Sequence, residues 1–288
     1  GCRYRCSFCI VTLARGDERS QPVKSIVDEI NRHHQQGVQE VVITGVHVGG
    51  YGSDLGTSLY ELLSEILDKT TIPRIRLASV EPWDLPGNFF ALFHDKRLMP
   101  HMHLPLQSGS DTVLRRMSRR CKTGEFSDLV GKAKSTIPGF NITTDLIVGF
   151  PGESDYEWNE TLRYVEQLGF GHIHIFSYSP REGTKAATLE GQIARQVKKE
   201  RSHEMHLLAD QLKIAAMEKM RSNDDEVLWE KGGKADSQRW TGYTSNYHKI
   251  SLQHDYPQDL ESRITPVKVT GLNEDGKCLL AEMGKLNS

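Results

Sequence analysis

Residues 1–9 read GCRYRCSFC, which places Cys2, Cys6 and Cys9 in a Cys-x3-Cys-x2-Cys pattern with Phe8 directly before the third thiol. Three thiols this close, with no fourth cysteine or histidine near them in sequence, make a metal-site pattern rather than a disulfide framework. The remaining cysteines, Cys121 and Cys278, are isolated and read as packing or surface residues. Closed zinc and iron–sulfur sites take four protein ligands. Three ligands leave two chemical readings open. One is an iron–sulfur cluster with an open iron; the other is a Cys3His zinc site that borrows a distant histidine. Unpaired thiols are the plainer alternative. This cysteine usage suits a reducing, intracellular compartment.

Outward from the cluster, apolar strand-like runs alternate with helix-like ones. Residues 20–37 read as a helix, with Ser20 as its N-cap, Pro22 in the first turn and Gly37 beyond the end. Strands are expected at 38–46, 72–80, 99–106, 141–148 and 171–178. Helices are expected at 57–70, within 110–137, and at 154–168. That alternation, at roughly 30-residue spacing, predicts βαβ units and a parallel sheet. Polar or glycine-rich turns follow the strands: TGVHVGGYG, SVEP, QSGSD, VGFPGE and YSPREGT. Such turns lie at the carboxyl edge of the sheet, where α/β folds build their sites. After a long polar helix at about 192–221, residues 224–283 change to short β-type runs broken by Gly, Asn and Asp, as in a small β-barrel. The expected division is 1–221 and 222–288.

Bulk charge points to no particular partner: 288 residues carry a formal net charge of −2. Any nucleic-acid site must therefore be a local patch. No apolar run approaches the roughly 18 residues of a membrane span. Arg115, Arg116, Arg119, Arg120 and Lys122 form the densest basic run, and on one continuous helix 115, 119 and 122 would share a face. Such runs are usually solvated surface, but this one follows QSGSD, so it is a candidate cradle for RNA phosphates. The tail holds 8 Lys and Arg against 11 Asp and Glu over 222–288, which rules out a basic grip. Its Trp240, Tyr243, Tyr247 and Lys249 suit stacking on unpaired bases, or core packing. His101 with His103, and His172 with His174, share strand faces. They could suggest a metal, but hydrogen-bonded core or substrate-lining groups are preferred. Glu153 is a possible cap for the helix that follows it.

The cysteine spacing, Phe8 and the α/β repeats together resemble the radical S-adenosylmethionine (SAM) superfamily. The resemblance implies a 4Fe–4S cluster on Cys2, Cys6 and Cys9, with SAM chelating the fourth iron. It implies an incomplete (β/α)6 TIM-like barrel, its first strand absent, with the cluster at the carboxyl-end mouth. Phe8 would lie near the adenine of SAM, and Thr44–Gly45 would take the methionyl amino group. Glu81, Gln107, Asp145 and Tyr178 are further candidates for holding SAM or the substrate.

ARGDERSQP (14–22), HLPLQSGSDTVLRRMSRR (103–120), TTDLIVGFPGESDYEWNETL (143–162) and IFSYSPREGTKAA (175–187) resemble the methylthiotransferases, and the tail resembles the RNA-binding TRAM barrel. TGVHVGGYGSDLG (44–56), RIRLASVEP (74–82) and TGYTSNYHKISL (241–252) resemble the branch that acts on threonylcarbamoyladenosine in tRNA. The implied activity is cytoplasmic methylthiolation at C2 of adenosine 37 in the anticodon loop, by a monomer served by an electron donor such as flavodoxin. The rivals are isopentenyladenosine in tRNA, an aspartate of a ribosomal protein, and a non-catalytic RNA-binding fragment. The family also carries a second 4Fe–4S cluster on an N-terminal domain whose ligands have no counterpart in these residues. The chain is therefore expected to be a fragment that binds one cluster and cleaves SAM without completing methylthiolation.

Overall fold

Parallel strands come first because their sequences are apolar on alternate positions and flanked by helices that cover one face. The computed structural model describes residues 1–230, 240–252 and 258–284. Its first part runs α1 (Val11–Arg15), α2 (Val23–Gln35), β1 (Glu40–Ile43), α3 (Leu59–Lys69), β2 (Arg74–Leu77), β3 (His101–His103), α4 (Asp111–Arg116), α5 (Thr123–Thr136), β4 (Asn141–Val148), α6 (Asp155–Leu168), β5 (His172–Ser177) and α7 (Arg195–Glu218). β1 pairs in parallel with β2, and β3 with β4 and β4 with β5. Parallel bridges Ile75↔Leu98 and Ser79↔His103 join the two groups, so the strands follow sequence order around one arc. Among the described residues the arc holds five parallel strands, each expected from the sequence.

Along β4 the two faces separate. Ile142, Thr144, Leu146 and Val148 are buried, and all but Thr144 belong to the main apolar core beneath the helices. Asn141, Thr143, Asp145 and Ile147 face the other way, towards the inside of the arc, by strand alternation. α3 contributes Leu59, Leu62, Leu63 and Ile66 to the core, all but fully buried. Burial of that size stabilises by about 1.5–3 kcal/mol per side chain. Ser58 caps α3 by accepting the Glu61 N–H at 3.2 Å.

Local details depart from the sequence reading at three places. The N-cap of α2 is Pro22, and Ser20 Oγ instead accepts the Gly52 N–H at 2.9 Å. The basic run does not form one helix: α4 stops at Arg116, and Ser118 takes a left-handed φ of 58° before α5 begins. Arg115, Arg119 and Lys122 therefore share no helix face. α6 is capped by Ser154, which accepts the Glu157 N–H while Glu157 returns to the Ser154 N–H. Glu153 instead accepts Arg201 Nη1 at 2.8 Å and the Gly149 N–H at 2.9 Å.

The second part runs β6 (Asp224–Trp229), β7 (Thr241–Tyr243), β8 (Lys249–Leu252), β9 (Ile264–Leu272) and β10 (Leu279–Met283), closed in the order β10-β8-β7-β6-β9. Closure removes free sheet edges. Val227, Trp229, Ile250, Val267, Val269 and Leu279 fill it, and Met217 in the last turn of α7 and Met220 just beyond it join that core. Ser222 lies in the short connection between α7 and β6.

The small barrel is docked on the arc through backbone carbonyls. Arg74 and Arg76, nearly fully buried on β2, donate to the carbonyls of Glu226 (2.5 Å), Tyr243 (3.3 Å) and Ser245 (3.2 Å). Asn141 Nδ2 donates to Asn246 O at 2.8 Å, and Asn246 Nδ2 to Gly139 O at 3.1 Å.

Candidate metal and cofactor site at the barrel mouth

Cys2, Cys6 and Cys9 sit on a loop pinned at several points. The Ser7 N–H reaches Met117 O (2.9 Å), the Ala186 N–H reaches Ser7 O (2.7 Å), and the Cys9 N–H closes a turn onto Cys6 O (3.1 Å). Thr12 Oγ1 donates towards Cys2 O at 3.1 Å and Tyr4 O at 2.9 Å. All three thiols are free and half-buried. Burial pushes the Cys2 thiol up, and the neighbouring Cys6 adds to that. Burial also raises Cys6, opposed by Arg119.

Arg119 is the positive charge of the loop. Its side chain is only 3% exposed. Nη2 donates to Glu81 Oε2 (2.8 Å) and Pro105 O (2.6 Å), while Nη1 donates to Glu81 Oε1 (3.2 Å) and lies 3.8 Å from Cys6 Sγ. Its guanidinium also stacks 4.5 Å over Trp83. Both terminal nitrogens are engaged and the side chain is buried, which places Arg119 as a support of the cysteine loop rather than on an exposed face. Arg116 pairs with Glu157 at 2.9 and 2.8 Å, and Arg120 lies 4.6 Å over Tyr4. Arg115 and Arg120 are exposed.

On the far side of the loop, Arg3 and Glu18 pair in two bonds of 2.8 and 2.5 Å. The buried His47 sits between Glu18 (2.5 Å) and Asp84 (2.6 Å). Burial opposes charge on His47, but the two carboxylates outweigh it and raise its pKa. Burial likewise works against the Glu18 carboxylate, yet Arg3 and His47 hold it at about 2. Cys2, Glu18 and His47 place ligand atoms within 4.8 Å of one another. Both His47 nitrogens are engaged by carboxylates, so His47 has no lone pair to spare for the cysteine site. That removes the histidine the fold brings nearest to Cys2 from the Cys3His zinc reading.

The other expected residues fall as follows. Phe8 and Phe150 meet edge to face at 6.5 Å, and Phe150 meets Tyr178 at 5.3 Å. The Tyr178 hydroxyl is buried without a partner. Thr44 and Gly45 are exposed just beyond β1. Gln107 is buried with φ of 76°, and its backbone bonds to Asp145 O and the Ile147 N–H at 2.8 and 2.9 Å. Asp145 sits apart from the thiols' immediate supports, 3.2 Å from His103. Three free thiols, a guanidinium beside one sulfur and an unpartnered hydroxyl beside an aromatic wall fit a three-cysteine iron–sulfur cluster with a small-molecule ligand.

In the small barrel, Tyr243 and Tyr247 stack at 4.9 Å, and Tyr247 packs on Arg76 (4.6 Å) and His101 (4.8 Å). Tyr247 thus meets the arc of the first part, stays partly exposed, and carries Tyr243 stacked on it. Trp240 is partly buried against the small core, and Lys249 is exposed. His47, Glu18, Asp84 and the role of Arg119 were not singled out from the sequence. Their spacing carries no motif, because each acts through a partner more than 25 residues away.

An α/β arc with a three-thiol loop at its carboxyl edge defines a radical SAM protein, and the superfamily profile matches residues 1–165. The chain belongs to the radical SAM superfamily. It is similar to the threonylcarbamoyladenosine tRNA methylthiotransferase MtaB of Thermotoga maritima, 37% identical over 278 residues, 96% of this chain and 63% of that one. The MtaB of Bacillus subtilis is 35% identical over 274 residues, covering 93% and 60%. A tRNA-2-methylthio-N(6)-dimethylallyladenosine synthase of Staphylococcus aureus is 34% identical over 272 residues, covering 93% and 52%. The chain thus spans between 52% and 63% of the length of these relatives. Two solved structures share the fold. Coproporphyrinogen III oxidase (HemN) of Escherichia coli has a TM-score of 0.54 at 13% identity, over 97% of this chain and 69% of that one. The radical SAM methyltransferase TsrM of Kitasatospora setae, bound to cobalamin and a [4Fe-4S] cluster, has a TM-score of 0.53 at 17% identity, over 65% and 37%. No helix among the described residues is long and apolar enough to cross a membrane.

Proposed function

We propose that the chain is the radical SAM and RNA-binding portion of a tRNA methylthiotransferase that acts at C2 of N6-threonylcarbamoyladenosine 37. The observation that carries this reading is the three-thiol loop with no free histidine beside it among the described residues, in a chain similar to tRNA methylthiotransferases over 96% of its length. The threonylcarbamoyl branch is favoured by TGVHVGGYGSDLG and by Ser79-Val80-Glu81-Pro82, where the isopentenyl branch usually carries Ser-His-Pro. The anticodon loop as partner, a flavodoxin-type donor, a monomeric state and a cytoplasmic location belong to the same proposal. So does a second cluster, carried by the whole protein.

When bound, the cluster and SAM supply reductive cleavage of the SAM sulfonium to a hydrogen-abstracting radical. The chain's own residues do the rest. Cys2, Cys6 and Cys9 would hold iron as thiolates, the form that metal coordination favours. Arg119 offsets their negative charge and hydrogen-bonds Cys6. The His47 network keeps the Cys2 side of the loop in place. Phe8, Phe150 and Tyr178 present an apolar wall that excludes water, with one hydroxyl free to orient a ligand. Exposed Arg115, Arg120 and Lys249 are available for phosphates.

Nucleoside analysis of tRNA from a strain lacking the gene tests the proposal. The expected result is loss of the 2-methylthio form of threonylcarbamoyladenosine with the isopentenyladenosine product intact. Loss of the latter alone would move the protein to the other branch.

A further inference from the structure

We propose that His103, Asp145 and His174 form a second metal site, for a divalent transition ion of the zinc class, inside the arc below the cysteine loop. The ligand atoms of the three lie within 4.8 Å of one another. They come from three adjacent parallel strands whose register is set by the backbone: His103 pairs with Thr143, and Asp145 pairs with His174. All three residues are on the inward face, so the ladder itself preassembles the donors. Two imidazoles and one carboxylate are the donor set of open, three-ligand zinc sites.

The His103–Asp145 distance suits an ion as well as a hydrogen bond. His103 Nε2 lies 3.2 Å from Asp145 Oδ1. Two ligands of a tetrahedral ion with bonds of about 2.0–2.1 Å sit about 3.3 Å apart. The other ring nitrogen of His103, Nδ1, is 3.0 Å from Thr143 Oγ1. Ligating histidines commonly donate that second N–H to an oxygen, which fixes the tautomer and the ring plane. With Nδ1 donating to Thr143, the Nε2 lone pair faces the carboxylate, and two acceptors at that distance need a cation between them. In the alternative tautomer Nε2–H donates to Asp145 and no ion is required.

His174 has no hydrogen-bond partner among the described residues, stacks edge-on to His172 at 4.6 Å and has its ring 5.5 Å from that of His103. It is exposed, and the Asp145 side chain is 25% exposed, so an ion here would keep a coordination position open towards the inside of the arc. The site is linked to the cysteine loop through Arg119. Pro105, two residues beyond His103 and about 7 Å along an extended chain, accepts the same Arg119 that contacts Cys6. An open divalent ion there would orient an oxygen or nitrogen of an incoming substrate.

Zinc titration of the full chain, freed of metal and carrying Cys2→Ser, Cys6→Ser and Cys9→Ser, tests this site without thiolate competition. The expected result is a single bound equivalent, with Co2+ giving visible d–d bands and no thiolate charge-transfer band. His174→Ala and Asp145→Asn should each weaken binding at least about tenfold, and Thr143→Val by about tenfold. No binding in a folded chain, or binding indifferent to His174→Ala and Asp145→Asn, overturns the proposal. Should the thiol-free chain fail to fold, zinc content is compared between cluster-loaded wild type and cluster-loaded His174→Ala. Loss of one equivalent in the variant supports the site, and equal content refutes it.

Discussion

Replacing Arg119 by methionine, a residue of similar reach without charge, tests the claim that this side chain supports the cysteine loop. The substitution removes donors to both Glu81 oxygens, to Pro105 O and to Cys6 Sγ, and it removes the cation over Trp83. Glu81, whose side chain is 22% exposed, is left as an unpaired carboxylate in a half-buried place. Breaking one side of a buried ion pair costs about 3–5 kcal/mol. For a unit of this size that is a fall in Tm of roughly 6–20 °C. Replacing both partners, Arg119→Met with Glu81→Met, leaves no stranded charge and should cost much less than the sum of the two single changes. The assay is thermal and urea unfolding of the apo chain, wild type, two singles and the double, read as a mutant cycle. Coupling of at least about 2 kcal/mol is expected. Additivity within about 0.5 kcal/mol, the behaviour of independent sites, would refute the reasoning and return Arg119 to the surface run from which it was first read.

Gly109→Ala should destabilise by about 1–3 kcal/mol in urea unfolding, because an added Cβ would meet Thr161 Cα at 2.8 Å and Tyr164 Cβ at 2.9 Å. Burial raises the Glu157 pKa, but Arg116, Thr112 and the α6 cap outweigh it and hold the carboxylate at about 2 against an ordinary 4.5. Its folded pKa is depressed, so its contribution, at most about 3 kcal/mol, is present above pH 4.5 and lost as pH falls towards 2. Unfolding of Glu157→Gln followed against pH should therefore converge on wild type in acid and diverge above pH 5, and a constant difference would contradict the pairing. Asn246→Ala removes bonds to Gly139 O and to Thr244 Oγ1. Amide exchange should then speed up over 139–141 and 244–248 together, and a change confined to the hairpin would show that the two parts are not docked through it.

Much of the first part was legible because strand-like and helix-like runs alternate along it. β4 covers the expected 141–148, whereas the cap expected of Glu153 falls to Ser154, with Glu157 of α6 closing the box. Legibility failed where a left-handed residue interrupts a pattern, as Ser118 does between α4 and α5. It also failed where a side chain is claimed by a distant group. Arg74 and Arg76 read as polar members of a strand, yet they bind carbonyls about 150 to 170 residues later, and no local periodicity encodes that. The tail tyrosines read equally as core or as RNA contacts, and the packing of Tyr247 on Arg76 and His101 was not encoded in their spacing. The three thiols were legible in the first nine residues. The carboxylate–imidazole support around Cys2 was not, because Glu18, His47 and Asp84 converge only after β1 and the turn beyond β2 are formed.

Anaerobic cluster reconstitution, followed by EPR of the reduced chain with and without SAM, tests the three-thiol site most directly. The account predicts a reduced 4Fe–4S signal that changes when SAM is added and is absent from the Cys6→Ala chain. A folded chain that takes up no cluster, or a cluster signal indifferent to SAM, would contradict it.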